Sequence, residues 1–440
     1  MFFSLDVLRA HKGDCLMLHY GSKADPHLIL IDGGPSDVYK PQMKPRLTRI
    51  HGARGIEEGE PLPVDVVMVS HVDDDHIQGV LELTKEQRGK TPFLRLDVSS
   101  LWHNSFDDLL TTKPAELVAG FGAASIEDRV GGGDSATEPG SALASIGDAG
   151  LAGDIDVDSK EESQTFEVLA SIPQGRTLRD DAVALKWTPN KQFGKKLILA
   201  TAAQKPVMLN DLKMTVVGPM QKELMDLQAA HDKFLKSKQA GENKTAEAAL
   251  AAFSDDSVPN LSSIVVLAEA GNKSILFTGD ARGDKILKGL ELSGRLKEGD
   301  NNTMHVDILK VPHHGSDNNM ETIFFKRVTA DHYVFSGNGE NGNPERNTMV
   351  MLLEARGTEA NYTIHLTYPV DEIDVARKAD WITKQNTEKK RKKKVIRPDW
   401  TPEINSLTEF FKANPKFAQK IKIVDEKEPH LIDLLDAVKI

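Results

Sequence analysis

The stretch that decides the fold is Val69-Ser70-His71-Val72-Asp73-Asp74-Asp75-His76. It follows an apolar, β-branched run at 64–69 that begins after Pro63, which predicts a buried strand. Polar groups just past a strand end lie where open α/β sheets bind their ligands. The four potential metal ligands here are His71, Asp73, Asp75 and His76. Imidazoles mixed with carboxylates suit a divalent cation such as Mn²⁺ or Zn²⁺. The alternative is a solvated acidic turn with two incidental histidines.

Composition limits the class of protein. The chain has 440 residues, enough for one large α/β domain with insertions or for two domains. It has no apolar stretch of the roughly 18 residues that a transmembrane helix needs, and residues 1–6 do not resemble a signal peptide. Cys15 is the only cysteine, which excludes an intrachain disulfide and a multi-cysteine zinc site. We therefore expect a cytoplasmic protein without membrane insertion. The net charge of −11 gives no general support for nucleic-acid binding.

Other candidate ligands also follow predicted strands. Residues 3–8 and 15–20 predict a β-hairpin, and 28–31 predict a strand that ends at Asp32. Residues 263–269 and 274–278 predict a second hairpin, which leads to Asp280. A strand at 306–311 ends at His313-His314. Side chains at four strand ends can converge at one edge of a layered sheet, which scattered surface carboxylates would have no reason to do.

The order of these motifs resembles a known superfamily. Ile31-Asp32-Gly33-Gly34, Ser70 to His76, and Thr278-Gly279-Asp280 are similar to motifs of the metallo-β-lactamase fold. The form H-x-D-x-D-H, together with Leu309-Lys310-Val311-Pro312-His313-His314-Gly315-Ser316, resembles the ComEC-type competence hydrolase domain. The resemblance covers about residues 1–360. It implies an α/β fold, an αββα sandwich of two mixed sheets covered by helices, with one or two metal ions at a sheet edge.

The resemblance also implies a ligand set. His71 and Asp73 would bind the first cation, Asp75 and His76 the second, and Asp280 would bridge them. Asp32 would orient the ligand loop from behind, as metal ligands generally require. Two alternatives stay open from the residues alone: Asp32 as a turn former and Asp280 as a helix N-cap.

Two positions depart from the family pattern. Asn260 occupies the slot where many superfamily members have a histidine, and Asn343 stands where the ComEC-like pattern has the histidine of Gly-His-Pro. Glu345 is a candidate substitute ligand. An amide carbonyl binds metals weakly, so these departures put full occupancy of the second site in question and favour Mn²⁺ over Zn²⁺.

A hydrolytic mechanism follows from the resemblance. The cations would activate a water molecule, and Asp75 would hold its proton and orient its attack. His313 or His314 would protonate the leaving oxygen, while Ser316 and the backbone amides of Gly315 and Ser316 would bind a phosphate oxygen. The alternative for the histidine pair is a helix-entry loop whose imidazoles contact carbonyl groups.

We expect three segments along the chain. Residues 1–375 form the metallo-β-lactamase-like domain, and an insertion at about 106–255 forms a lid or wall beside the site. Residues 376–398 form a basic linker, whose run Lys389 to Lys394 is a solvated linker, a nucleic-acid contact or a partner-docking segment. Residues 399–440 form a small C-terminal extension.

Three functions are compatible with these features. The first is a metal-dependent phosphodiesterase or nuclease acting on DNA or RNA. The second is a hydrolase of a small ester, lactone or cyclic phosphate. The third is a non-catalytic module with a relic metal site that binds a protein partner in a larger system.

Overall fold

The protein is described here from a computed structural model, which covers residues 1–104, 174–202, 204–224, 262–390, 392–393 and 395–440. These residues form two mixed β-sheets with helices. The strands of the first sheet are β1 (Phe2–Val7), β2 (Leu16–Gly21), β3 (Pro26–Ile31), β4 (Leu62–Met68), β5 (Leu96–Trp102), β6 (Thr188–Pro189) and β15 (Leu431–Asp433). Those of the second are β7 (Val207–Leu209), β8 (Leu212–Gly218), β9 (Val265–Ala270), β10 (Lys273–Phe277), β11 (Met304–Lys310), β12 (Val328–Phe335), β13 (Thr363–Leu366) and β14 (Ile421–Ile423).

Each sheet has an antiparallel half and a parallel half. The first runs in the order β15-β1-β2-β3-β4-β5-β6, antiparallel from β15 to β3 and parallel from β3 to β6. The second runs β14-β13-β12-β11-β10-β9-β8-β7, parallel from β14 to β10 and antiparallel from β10 to β7. The carboxyl ends of the parallel strands therefore share one edge in each sheet, which is where an α/β fold places its site.

Helices connect the parallel strands and flank both sheets. They are α1 (Lys44–Ala53), α2 (Asp74–Gln87), α3 (residues 174–184), α4 (Gly283–Leu292), α5 (Thr322–Arg327), α6 (Arg346–Arg356), α7 (Val370–Lys390), α8 (Pro402–Asn405), α9 (Leu407–Ala413) and α10 (Pro415–Ala418). Among the helices of the described ranges, none combines the length and the apolar character needed to cross a bilayer.

The central strands are buried on both faces, which explains their continuous apolar sequences. In β3, Ile29 and Ile31 belong to a cluster that also takes side chains from the second sheet, whereas Leu28 and Leu30 pack with α1 and α2. A third cluster joins the outer face of the second sheet to helices α4, α5, α6, α9 and α10. The core is thus divided among one inter-sheet layer and two sheet–helix layers.

Both predicted hairpins are present. β1 pairs with β2, and β9 pairs with β10 through a two-residue turn at Gly271-Asn272. Both turn residues have positive φ, 54° and 63°, as the tight turn of a right-twisted hairpin requires. The apolar segment at 208–218 is divided into β7 and β8 by a turn at Asn210, whose φ is also positive.

The C-terminal part differs from the prediction of a basic linker and a separate extension. Residues 376–390 continue helix α7, and the segment beyond it supplies an edge strand to each sheet. β14 lies beside β13, and β15 lies beside β1. Three-residue edge strands carry almost no periodic signal, so their pairing could not be foreseen from local sequence.

The predicted insertion also differs in its described portion. Most of residues 106–255 lie outside the described residues, but 188–218 contribute β6 to the first sheet and β7 and β8 to the second. This portion therefore completes the sheets, and it is not a separate lid or wall.

Candidate metal centre

Five strands direct their carboxyl ends to one place between the two sheets. Hydrogen bonds tie these ends together: Ile264 donates to the Ser70 carbonyl at 2.8 Å, and His313 donates to the Gly279 carbonyl at 3.1 Å. The polar residues that follow the strands are Asp32 after β3, Ser70 and His71 after β4, Asp280 after β10, His313 and His314 after β11, and Ser336 after β12.

Four histidine rings point the same nitrogen, Nε2, at the carboxylate of Asp280. The Nε2 atoms of His76 and His314 lie 3.3 and 3.4 Å from its Oδ1. Those of His71 and His313 lie 3.7 and 3.6 Å from its Oδ2. Two ligands bound to one ion at about 2.1 Å lie roughly 3 to 3.5 Å from each other. The spacing of His76, His314 and Asp280 Oδ1 therefore fits one cation, whereas His71 and His313 lie somewhat farther from Oδ2.

In the two histidine rings that follow the first sheet, the other ring nitrogen, Nδ1, also has a polar partner. Nδ1 of His76 lies 2.9 Å from Asp32 Oδ2, and Nδ1 of His71 lies 3.1 Å from the Ser70 hydroxyl. Ser70 in turn donates from its amide and hydroxyl to the Asp32 carboxylate, at 2.7 and 2.8 Å. A carboxylate or hydroxyl behind an imidazole fixes the ring orientation of a metal ligand.

The rings on the second sheet also have polar partners behind them. The Asn319 side-chain Nδ2 donates to Nδ1 of His313 at 2.6 Å. Nδ1 of His314 lies 3.4 Å from Asp14 Oδ1 and 3.3 Å from the Ser336 hydroxyl. All four imidazoles thus present Nε2 to the centre and Nδ1 to a positioning partner.

Asp73 and Asp75 stand at the more open side of the centre. Asp73 Oδ2 lies 3.3 Å from His71 Nε2, and Asp75 Oδ2 lies 3.6 Å from His314 Nε2. Their side chains are 13% and 16% exposed, against 3% for Asp280. Both precede or begin α2, where negative charge is favoured by the helix dipole.

Unpaired polar atoms show that the group fits a cation. Nε2 of His71, Oδ1 of Asp73 and Oδ1 of Asp280 are buried without a hydrogen-bond partner. Buried polar atoms are rarely left in this state, and each one requires an explanation. Two groups satisfy the geometry of metal ligands: Asp14, His76, Asp280 and His314, and also His71, Asp75 and His76. A buried cluster of histidine and aspartate residues in this protein can therefore hold a metal ion.

The charges of the cluster are strongly coupled. Burial opposes ionisation of Asp280, but His314, His76 and His313 outweigh it and hold the Asp280 pKa well below its usual value. Burial opposes the charge of His314 too, yet Asp280 and Asp14 raise the His314 pKa to about 9. Burial also raises the pKa of Asp73, and the carboxylates of Asp75 and Asp280 add to the rise. The carboxylates thus demand positive charge, which either protons or a cation can supply.

Three residues of the site have backbone conformations that non-glycine residues rarely adopt. Asp32, His313 and His314 have φ of 56°, 45° and 53°. Such left-handed residues cost about 1–2 kcal/mol each, and they persist where the surrounding structure enforces them. In this protein the strain places two consecutive imidazoles at the end of one strand.

The structure also decides between alternatives for single residues. Helix α4 begins at Gly283 with Arg282 as its N-cap, so Asp280 does not cap it. Asp32 forms a left-handed turn and also contacts His76, so both interpretations of Asp32 apply.

Three predicted substrate or ligand residues are not part of the histidine cluster. Asn343 is buried and its Nδ2 lies 3.5 Å from the His313 carbonyl, while Glu345 precedes α6 and its charge acts on Arg377. Asn260 lies outside the described residues. The Ser316 amide, which was predicted to contact a phosphate, donates to the His313 carbonyl at 2.8 Å. The buried Ser316 hydroxyl has no hydrogen-bond partner, and Gly315, with φ of 86°, provides the turn before it.

Two charged residues of the site were not singled out by their sequence pattern. Asp14 and Lys310 are each 1% exposed, and Lys310 Nζ lies 2.5 Å from Asp14 Oδ2. Burial works against ionisation of Asp14, but Lys310 and His314 prevail and keep its pKa far below the usual value. A lysine inside the apolar run of β11, three residues before His313, was the available signal.

Comparison with known protein families finds none that matches this chain, and a search of characterised proteins finds no matching sequence. The case for the site therefore depends on the residues and their geometry.

Helix α2 is locked onto the Asp32 loop by two glycines, and this contact gives a first prediction. A Cβ on Gly79 would lie 2.0 Å from the Gly33 carbonyl oxygen. We expect Gly79→Ala to lower the free energy of unfolding by about 1–3 kcal/mol, as overpacking does. Because α2 carries Asp75 and His76, cation affinity should also fall, by about tenfold or more.

The control is Gly289→Ala in α4, where a Cβ would lie 1.8 Å from the Val217 carbonyl oxygen. Chemical denaturation and Mn²⁺ titration calorimetry of both variants provide the measurement. Equal loss of stability but unchanged Mn²⁺ affinity in Gly79→Ala would show that α2 does not position the ligands.

Proposed function

We propose that this protein is a divalent-cation-dependent hydrolase of phosphodiesters with the αββα sandwich of the metallo-β-lactamase fold and a ComEC-like site. The observation that carries the proposal is the convergence of four imidazole Nε2 atoms on the two oxygens of Asp280. The two sheets, with core layers shared between sheet and sheet and between sheet and helix, agree with such a sandwich.

His76 and His314 would hold one cation with Asp280 Oδ1. We place a second, less closely surrounded cation on the Oδ2 side, next to His71 and His313. Asp73 stands beside His71, and Asp75 stands beside His314. The mixture of carboxylate oxygens and imidazoles favours Mn²⁺, with Zn²⁺ the second choice. A cation bound there supplies Lewis acidity and eases deprotonation of water near neutral pH.

The chain's own residues then have separate tasks. Asp75 is the most exposed of the central carboxylates, so it is the one that can accept a proton from an attacking water. The hydroxyl of Ser316 can donate to a phosphate oxygen. His313 or His314 was expected to protonate the leaving oxygen. His314 Nε2 faces Asp280 and its ring is 2% exposed, so we assign His314 to the cation.

The test measures activity on several substrates, each in the presence of several metal ions. Chelator-treated protein is assayed with Mn²⁺, Mg²⁺ or Zn²⁺ on bis-p-nitrophenyl phosphate, single- and double-stranded DNA, RNA, p-nitrophenyl acetate and a simple lactone. We expect Mn²⁺-dependent hydrolysis of phosphodiesters. Turnover of the ester or lactone alone would point to the second function class. Absence of both bound cation and turnover would leave only the non-catalytic module.

The coupled charges predict how stability depends on pH and metal. In metal-free protein the His314 pKa is about 9, above its usual 6.5. A raised pKa adds stability that is complete below pH 6.5 and is lost as the pH rises through about 9. We therefore expect the melting temperature of chelator-treated protein to fall across this window, and the added stability from Mn²⁺ to grow, since protons no longer compete.

Thermal melts from pH 6 to 9.5, with and without excess Mn²⁺, measure both trends. If the increase in melting temperature caused by Mn²⁺ becomes smaller as the pH rises through this window, the assignment of His314 as a ligand is contradicted.

A further inference from the structure

Asp14 and Lys310 form a buried ion pair at the back of the proposed metal centre. Asp14 ends the loop between β1 and β2, and Lys310 is the last residue of β11. The distance from Lys310 Nζ to Asp14 Oδ2 is 2.5 Å, and both side chains are almost fully buried. Removing two charges from water is so costly that a buried pair is weak evidence for stability alone. Stability alone therefore does not explain why the protein buries this pair beside the proposed metal centre.

The other oxygen of Asp14 faces a proposed ligand. Asp14 Oδ1 lies 3.4 Å from His314 Nδ1 and accepts a hydrogen bond from the Ser336 hydroxyl. On the far side of the same ring, His314 Nε2 lies 3.4 Å from Asp280 Oδ1. The His314 ring is thus held between two carboxylates, one behind it and one at the centre.

Lys310 and Asp14 also connect the loops that carry other ligands. Lys310 Nζ lies 3.4 Å from the carbonyl oxygen of Gly279, the residue before Asp280. The Asp14 amide donates to the Asp75 carbonyl at 3.2 Å. The pair therefore contacts the supports of three proposed ligands.

The contacts of Asp14 distinguish a supporting role from direct ligation. Its Oδ2 is engaged by Lys310 and its Oδ1 by Ser336, so neither oxygen is left unpaired. By contrast, Oδ1 of Asp280 is buried without a hydrogen-bond partner. An oxygen already occupied by an ammonium group is a poor cation ligand, because the two positive charges would compete for it.

From this geometry we infer that Asp14 and Lys310 are positioning residues for His314 and set the affinity of the cation on the Oδ1 side of Asp280. Asp14 orients the ring through Nδ1 and increases the donor strength of Nε2. Lys310 fixes the carboxylate and prevents Asp14 from turning toward the cation. The inference depends on the proposed function only in that the centre must bind metal.

The experiment uses the full chain and measures metal binding, not turnover. Either single substitution, Asp14→Asn or Lys310→Met, leaves a buried charge without its partner and risks unfolding. The double variant D14N/K310M removes both charges at similar volume and keeps an amide oxygen near His314. Lys273→Met is the matched control, because Lys273 forms an ion pair with Asp307, 2.6 Å long, at the opposite end of β10.

Mn²⁺ binding is followed by calorimetry, and Co²⁺ binding by its visible absorption spectrum. We expect D14N/K310M to bind two cations at saturation, with one site weakened 10- to 100-fold, the usual effect of removing a partner behind a ligand. The wavelengths of the Co²⁺ bands should not change, and Lys273→Met should match the natural protein.

Wild-type affinity at both sites in folded D14N/K310M would overturn the inference by making the pair purely structural. Loss of one cation at saturation together with shifted Co²⁺ bands would overturn it by making Asp14 a direct ligand. Failure of the proposed function is a separate result, because it appears as absent turnover by the unsubstituted protein, whereas this experiment measures only cation binding.

Discussion

Replacing Asp280 by asparagine is expected to reduce Mn²⁺-dependent phosphodiesterase activity by about 10³-fold. A metal centre supplies several kcal/mol of transition-state stabilisation, and each 1.36 kcal/mol is a factor of ten in rate. Each oxygen of Asp280 faces its own pair of imidazoles, so a single substitution at Asp280 affects both proposed cation sites. An amide is uncharged and has only one oxygen, so it cannot bridge two cations as a carboxylate can.

The measurement combines kcat/KM for bis-p-nitrophenyl phosphate with metal content by elemental analysis. Asp284→Asn is the matched control, since Asp284 lies on the exposed first turn of α4 and pairs with Arg282. Circular dichroism checks that both variants fold. Full activity and two bound cations in Asp280→Asn would remove Asp280 from the centre.

His314→Ala is expected to cost about 10²-fold or more in activity and to weaken binding of the cation on the Oδ1 side of Asp280. The sequence pattern suggested a different role, protonation of the leaving oxygen, which typically contributes about 10²–10⁴-fold. The two roles differ in their dependence on the leaving group. A proton donor matters for an alkoxide leaving group but little for nitrophenolate, which leaves without a proton.

Two substrates therefore separate the roles, a dinucleotide and bis-p-nitrophenyl phosphate. If His314 is a ligand, activity falls on both substrates and Mn²⁺ affinity falls with it. Loss confined to the dinucleotide, with unchanged Mn²⁺ affinity, would restore the proton-donor role. His305→Ala provides the control, because His305 lies on β11, the strand that precedes His314, is 49% exposed and faces Asp331.

The candidate ligands that could be foreseen are those whose position depends on local sequence. His71 to His76 follow one strand directly, and Asp280 follows the second strand of a hairpin with a recognisable turn. A strand end fixes where the next residues lie relative to the sheet, so convergence could be inferred without knowing how the sheets pack. His71, His76 and Asp280 are buried together in the structure, which agrees with that inference.

The positioning pair could not be foreseen in the same way. Asp14 and Lys310 are far apart in the chain, and their contact requires the first hairpin to approach the end of β11 across the two sheets. No periodicity in either segment encodes that approach. A polar residue between two apolar strands also forms an ordinary surface loop in most proteins, so Asp14 resembled one.

The edge strands β14 and β15 were missed for a related reason. Each has three residues, and each pairs with a strand that is distant in the sequence. Burial of their neighbours and free backbone groups at the sheet edge decide such pairings, and these are properties of the folded sheet. The result is a C-terminal segment that completes both sheets, although its sequence alone did not decide between packing on the main domain and forming an appendage.

The measurement that tests the central claim most directly is anomalous diffraction from crystals soaked in Mn²⁺. We expect two anomalous peaks, one contacted by Asp280 Oδ1, His76 and His314, and the other contacted by Asp280 Oδ2, His71 and His313. Absence of any peak between these side chains in a fully soaked crystal would contradict the claim that they form a metal centre.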